Sequence, residues 1–80
     1  MHKVRVKITF PPELVSQPVI FNMGKQFQVV TNIRRANVTR DRGWVILEIS
    51  GDVPEIERAV NWATSQGVRV DPIEGDIVAG

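Results

Sequence analysis

The sequence of 80 residues has no cysteine and a single histidine, His2. Without thiols there can be no disulfide, thiolate nucleophile, iron–sulfur ligation or cysteine-based structural zinc site, so packing alone must hold the fold. The lone imidazole lies at a terminus, where chains fray, with no acid–base partner beside it. No glycine-rich joint links a strand to a helix start, which removes the usual phosphate cradle. Apolar runs reach only three or four residues, as in PVIF and WVIL, too short to span a membrane. Met1 is followed by HKVRVK rather than by an apolar signal core, and the expected location is cytoplasmic. These absences argue against an enzyme, and no cofactor is expected in this chain.

A chain of this length holds one domain, read here as residues 1–80, and buries roughly 60% of the surface that its unfolded form exposes. Folding should be worth roughly 4 to 12 kcal/mol. The net charge of +1 conceals an uneven distribution. Residues 1–42 carry eight Lys/Arg against Glu13 and Asp41, whereas residues 43–80 carry Arg58 and Arg69 against seven acids. Such a split fits either two solvated faces of opposite sign or an anion-binding face. Asp71, Glu74 and Asp76 lack the regular alternation of a calcium loop and are read as solvated charge.

Residues 3–10, KVRVKITF, alternate strictly, as a strand buried on one side does. Two prolines end it. Pro18 then opens a short helix carrying Ile20, Met23 and Phe27 at helical spacing, with Gly24 as its weak point. VVTNIRRANV (29–38) reads as a second strand, RDRG (40–43) as a polar turn and WVILEIS (44–50) as a third strand. Asp52 as N-cap, with Glu55 three residues on, predicts a capping box for a second helix. Its stripe is Ile56, Ala59, Val60 and Ala63, and Gly67 stops it. VRVDPI supplies a short fourth strand, which EGDIVAG either extends or leaves frayed.

This order is the α+β, ferredoxin-like βαββαβ pattern, an antiparallel four-stranded sheet covered on one face by two helices. The expected strand order is four, one, three, two, so the second and fourth strands are exposed edges. RNA-binding domains of this topology stack bases on aromatic residues of the two central strands. Here the open face offers only Trp44 among Lys3, Arg5 and Lys7, and nucleic acid is not an expected partner.

The frame PVIFNMGKQFQVVTNIRRANVTRDRGWVILEISGD, Pro18 to Asp52, resembles the NIL domain family. The resemblance rests on the helix-opening proline, the Asn32–Ile33 pair entering the second strand, the Ala36 and Val38 alternation, Gly43, and LEISGD leading into a helix that ends before GVRVD. The third letter of the motif, ordinarily an aliphatic residue, is Arg34 here. A buried guanidinium without an anionic partner would be costly, so Arg34 must reach water or a carboxylate.

The resemblance implies an ACT-like regulatory domain that binds methionine or a related small amino acid between two copies, with Asn32, Ile33 and Arg34 as the ligand-binding residues. It also implies two contexts: a segment of a methionine-transporter ATPase, or a module preceding or docking a ferredoxin, notably in cyanobacteria. Pro72 guards the fourth strand, so a homodimer is expected through the second. Arg34 and Arg35 are read as pointing to opposite faces. Asn32 is read either as a ligand contact or as a cap on the exit of the first helix.

Overall fold

The structure, a computed structural model, describes residues 1–73 and the strand residues Val78–Ala79. Its elements are β1 (His2–Phe10), a 3-10 turn (Pro12–Leu14), α1 (Val19–Gln26), β2 (Val29–Val38), β3 (Gly43–Gly51), α2 (Val53–Gln66), β4 (Arg69–Pro72) and β5 (Val78–Ala79). The sheet runs β2-β3-β1-β4, as the βαββαβ pattern predicts, with β5 pairing the start of β1. Both central strands pair antiparallel along their whole length, from His2 opposite Gly51 to Phe10 opposite Gly43. The readings placed on Glu74 and Asp76 lie outside the described residues.

One face of this sheet makes the core. Val6, Ile8 and Phe10 of β1 and Val45, Leu47 and Ile49 of β3 are buried against Val19 and Met23 of α1 and Ile56, Ala59 and Ala63 of α2. That these positions recur at intervals of two on the strands and three or four on the helices is why the chain folds this way. The helix α1 starts where Pro18 ends the preceding loop, and its first backbone bond runs from Asn22 N–H to the Pro18 carbonyl at 3.0 Å. At the far end of α2, Gly67 takes φ 110°, a left-handed conformation that stops the helix.

The predicted capping box is not made. Asp52 stands at the N-cap of α2, yet its carboxylate accepts no capping hydrogen bond. Glu55 instead accepts from Gln28 N–H at 2.9 Å and from Arg58 Nη1 at 2.9 Å. The physical reason lies in the contact between segments. Gly51 approaches Gln28 so closely that a Cβ there would lie 2.9 Å from the Gln28 carbonyl oxygen. This brings a backbone donor outside the ladder to the first turn of α2, where Glu55 satisfies it. The carboxylate thereby joins the start of α2 to the entry of β2.

Candidate functional site

As an edge strand, β2 has β3 on one side and no strand on the other among the described residues. It begins at Val29, so Asn32 lies within the strand and not at its mouth, and it does not cap α1, which closes at Phe27 with its own N–H donated to the Met23 carbonyl. Asn32 pairs opposite Glu48, on the face away from the helices, and Ile33 opposite Leu47, on the helix side. The side chain of Asn32 is exposed and makes no hydrogen bond within the described chain. Its amide is thus available as both donor and acceptor.

The ladder shifts register between Ile33 and Arg35, leaving Arg34 as the extra residue of a bulge. The expectation that Arg34 and Arg35 face opposite ways is therefore corrected. Arg34, next after the helix-side Ile33, lies on the open face against Glu48, and Arg35 pairs with Ile46, whose side chain belongs to that same face. A bulge adds one residue to one strand only, so two successive side chains can share a side. Arg34 Nε reaches to 3.8 Å from Glu48 Oε2, which is how an arginine is accommodated at this position.

Glu48 is the one buried acid among the described residues, 8% exposed, on a strand that otherwise buries apolar residues. Arg5 Nη2 donates to its Oε2 at 2.6 Å. This hydrogen bond holds the carboxyl below the ordinary glutamate range. Burial opposes the shift, while the charges of Arg34, Lys3 and Arg5 add to it. Since the folded value lies below the unfolded one, the stabilisation is fully present above the ordinary glutamate pKa of about 4.3 and is lost as pH falls through the folded value. Urea midpoints at about pH 7 and about pH 3 should therefore fall further for the natural chain than for Glu48→Gln, which lacks this titration. Equal falls would show that Glu48 contributes none of the acid sensitivity.

Two other features adjoin the sheet. On the open face, Lys7 Nζ lies 5.3 Å from the centroid of the Trp44 ring. On the helix side, an apolar pocket of about 200 Å³ opens between the first turn of α1 and the turn end of the β2–β3 hairpin, lined by Phe10, Val19, Phe21, Val38 and Val45 among others. Neither Asn32, Ile33 nor Arg34 lines it. From Asn32 to Val38 the strand travels roughly 20 Å, at about 3.3 Å per residue, so the predicted ligand residues and the pocket are separate places. Among the described residues no three His, Asp or Glu side chains cluster as metal ligands, and Asp71 pairs with Arg69 at 2.9 Å. No helix among them is long and apolar enough to cross a membrane.

The sequence profile of the NIL domain matches residues 4–72, from within β1 to the end of β4, with both helices between them. This chain belongs to the NIL domain family. The NIL fold seen here is shared with the crystal structure of the C-terminal domain of an ABC transporter ATP-binding protein from Enterococcus faecalis, at a TM-score of 0.77 and 19% identity, covering 91% of this chain and 86% of that one. A methionine import ATP-binding protein of Helicobacter pylori is 28% identical over 72 residues, which is 85% of this chain. A second importer protein, MetN 2 of Oceanobacillus iheyensis, is 33% identical over 67 residues, 79% of this chain. The NIL domain described here spans only 22% and 20% of those two proteins.

Sequence reasoning alone missed the central place of Glu48. The signal was available. Glu48 is the sole charge in WVILEIS and shares the open face with Arg5, its partner in the ladder.

Proposed function

We propose that this NIL domain is a non-catalytic regulatory module of a methionine-importer ATPase, acting on the cytoplasmic side, in which two copies pair along β2 and hold methionine or a related small amino acid at the seam. The observation that carries this reading is the open edge of β2 with its unengaged Asn32 amide. Such an edge offers a row of backbone donors and acceptors to a second strand, and a protein that leaves one uncovered must guard it or use it. Guarding is incomplete here. The strand has no proline, and Ile33 and Val38 are each 54% exposed on the helix side of the edge.

In the seam, Asn32 would meet the ammonium or carboxylate of an amino acid, and Arg34, already leaning on Glu48, would supply positive charge beside the carboxylate. Ile33, on the other face of the strand, would contribute apolar contact. Ligand and dimer then stabilise each other by mass action, because the site is complete only when two copies meet.

Isothermal titration of methionine into the chain, paired with sedimentation at high protein concentration, tests this. Methionine should bind and shift the chain toward dimer, and Asn32→Ala should weaken binding by on the order of tenfold, the loss of about one good hydrogen bond. A chain that stays monomeric and takes up no amino acid would overturn the proposal.

A further inference from the structure

We propose that the open face of the sheet is a docking surface for an acidic polypeptide. The register places Lys3, Arg5 and Lys7 of β1 on this face, with Arg34 and Arg35 of β2 and Arg69 of β4 beside them. Among the described residues two acids, Glu48 and Asp71, share it. Arg5 and Arg34 lie against Glu48, and Arg69 against Asp71. Lys3, Lys7 and Arg35 have no ion-pair partner among the described residues. The helices α1 and α2 are balanced, with Lys25 and Arg58 against Glu55 and Glu57. What reads in the sequence as a basic first half is therefore a basic face in the fold.

The chemistry of that face fits a protein better than a nucleic acid or a lipid. Its centre is apolar and half-buried, Trp44 and Ile46, with charges around it, the arrangement of an interface core within a polar rim. Arginine and tryptophan are the residues that most often dominate binding energy, and a guanidinium matches a carboxylate in plane. Bases of a single strand would need several aromatic platforms, whereas the face has one ring, already under the Lys7 ammonium. A bilayer is met by protruding apolar side chains, and Trp44 and Ile46 do not protrude. The surface reaches the edge of β2 at Arg34 and Arg35, but its centre, with Lys3 and Lys7 of β1 and Trp44 and Ile46 of β3, lies on the inner strands and stays uncovered if two copies pair along that edge.

The test is a nitrogen-15 NMR titration of the chain with a poly-L-glutamate peptide, with parallel arms using an oligouridylate of matched charge and phosphatidylserine vesicles. Polyglutamate should move the Trp44 indole resonance and the Lys7 and Ile46 amides while sparing Trp62 on α2. Its affinity should fall on the order of tenfold as salt rises from about 0.05 to about 0.2 M, since exposed charges are screened. The triple variant Lys3→Glu, Lys7→Glu, Arg35→Glu should abolish the shifts with an unchanged circular dichroism spectrum, and Lys25→Glu with Arg58→Glu should leave them intact. If the reversed variant loses its fold, the three glutamine substitutions take its place, with a loss of at least fivefold expected. Tighter binding of oligouridylate or vesicles than of polyglutamate, shifts confined to the helix side, or no shift at Trp44 would each overturn the proposal.

Discussion

Leu47→Ala is expected to cost about 2 to 5 kcal/mol, the range for truncating a fully buried leucine. Leu47 is 0% exposed, stands on one of the two central strands, and faces Val6 across the ladder on the helix side. Set against a total of roughly 4 to 12 kcal/mol for a domain of this size, that loss takes a large share of the stability and leaves a measurable unfolded population in the weaker case. The urea midpoint should drop with little change in slope, because the surface exposed on unfolding hardly alters. Ile33→Ala makes the informative comparison. Ile33 is the register partner of Leu47 on the same face, yet 54% exposed, and its truncation should cost no more than about 0.5 kcal/mol. If the two variants proved equally damaging in the isolated monomer, the edge of β2 would not be free.

Gly51→Ala is expected to destabilise by about 1 to 3 kcal/mol through crowding rather than through a lost contact. Its new Cβ would stand 2.9 Å from the Gln28 carbonyl oxygen and 3.2 Å from Val29 Cγ1. The obstacle is backbone, so relief requires β2 to move away from β3 at its entry, and the hydrogen bond from Gln28 N–H to Glu55 moves with it. A melting temperature lower by about 4 to 8 °C per kcal/mol, together with faster hydrogen exchange at Gln28 and Val29, is the expected result. Gly24→Ala shows the contrast, since a Cβ there meets only Thr31 Oγ1 at 3.7 Å. That substitution relieves the entropic cost of glycine inside α1 and should stabilise by about 0.5 to 1 kcal/mol. A neutral Gly51→Ala would mean that the hairpin and α2 tolerate more separation than their contacts show.

The strands and both helices were legible because every buried apolar residue of β1 and β3 recurs at the strand period and every buried residue of α1 and α2 at the helix period, and the strand order followed from the sequence of elements. The bulge was not legible. In β2 the residues from Asn32 onward are exposed on both sides, so no apolar alternation records the extra residue at Arg34, and a count of positions sends Arg35 to the wrong face. Glu55 misled for a related reason. Its spacing from Asp52 satisfies the capping-box signature, but a donor brought in from Gln28, a residue far away in sequence, claims the carboxylate. The apolar pocket joins β1, α1 and both strands of the hairpin, and no local pattern announces a cavity made from segments that meet only in the fold.

The bulge at Arg34 also sets how long any strand laid along β2 can stay in step with it. The edge is divided into Val29–Ile33 before the irregularity and Arg35–Val38 after it, and a straight partner can match one stretch at a time. A zipper of four or five residues opens far more readily than one of ten. An association built on it is quick to form and quick to release, so the occupancy of the seam can follow a changing solute concentration instead of locking at its first encounter.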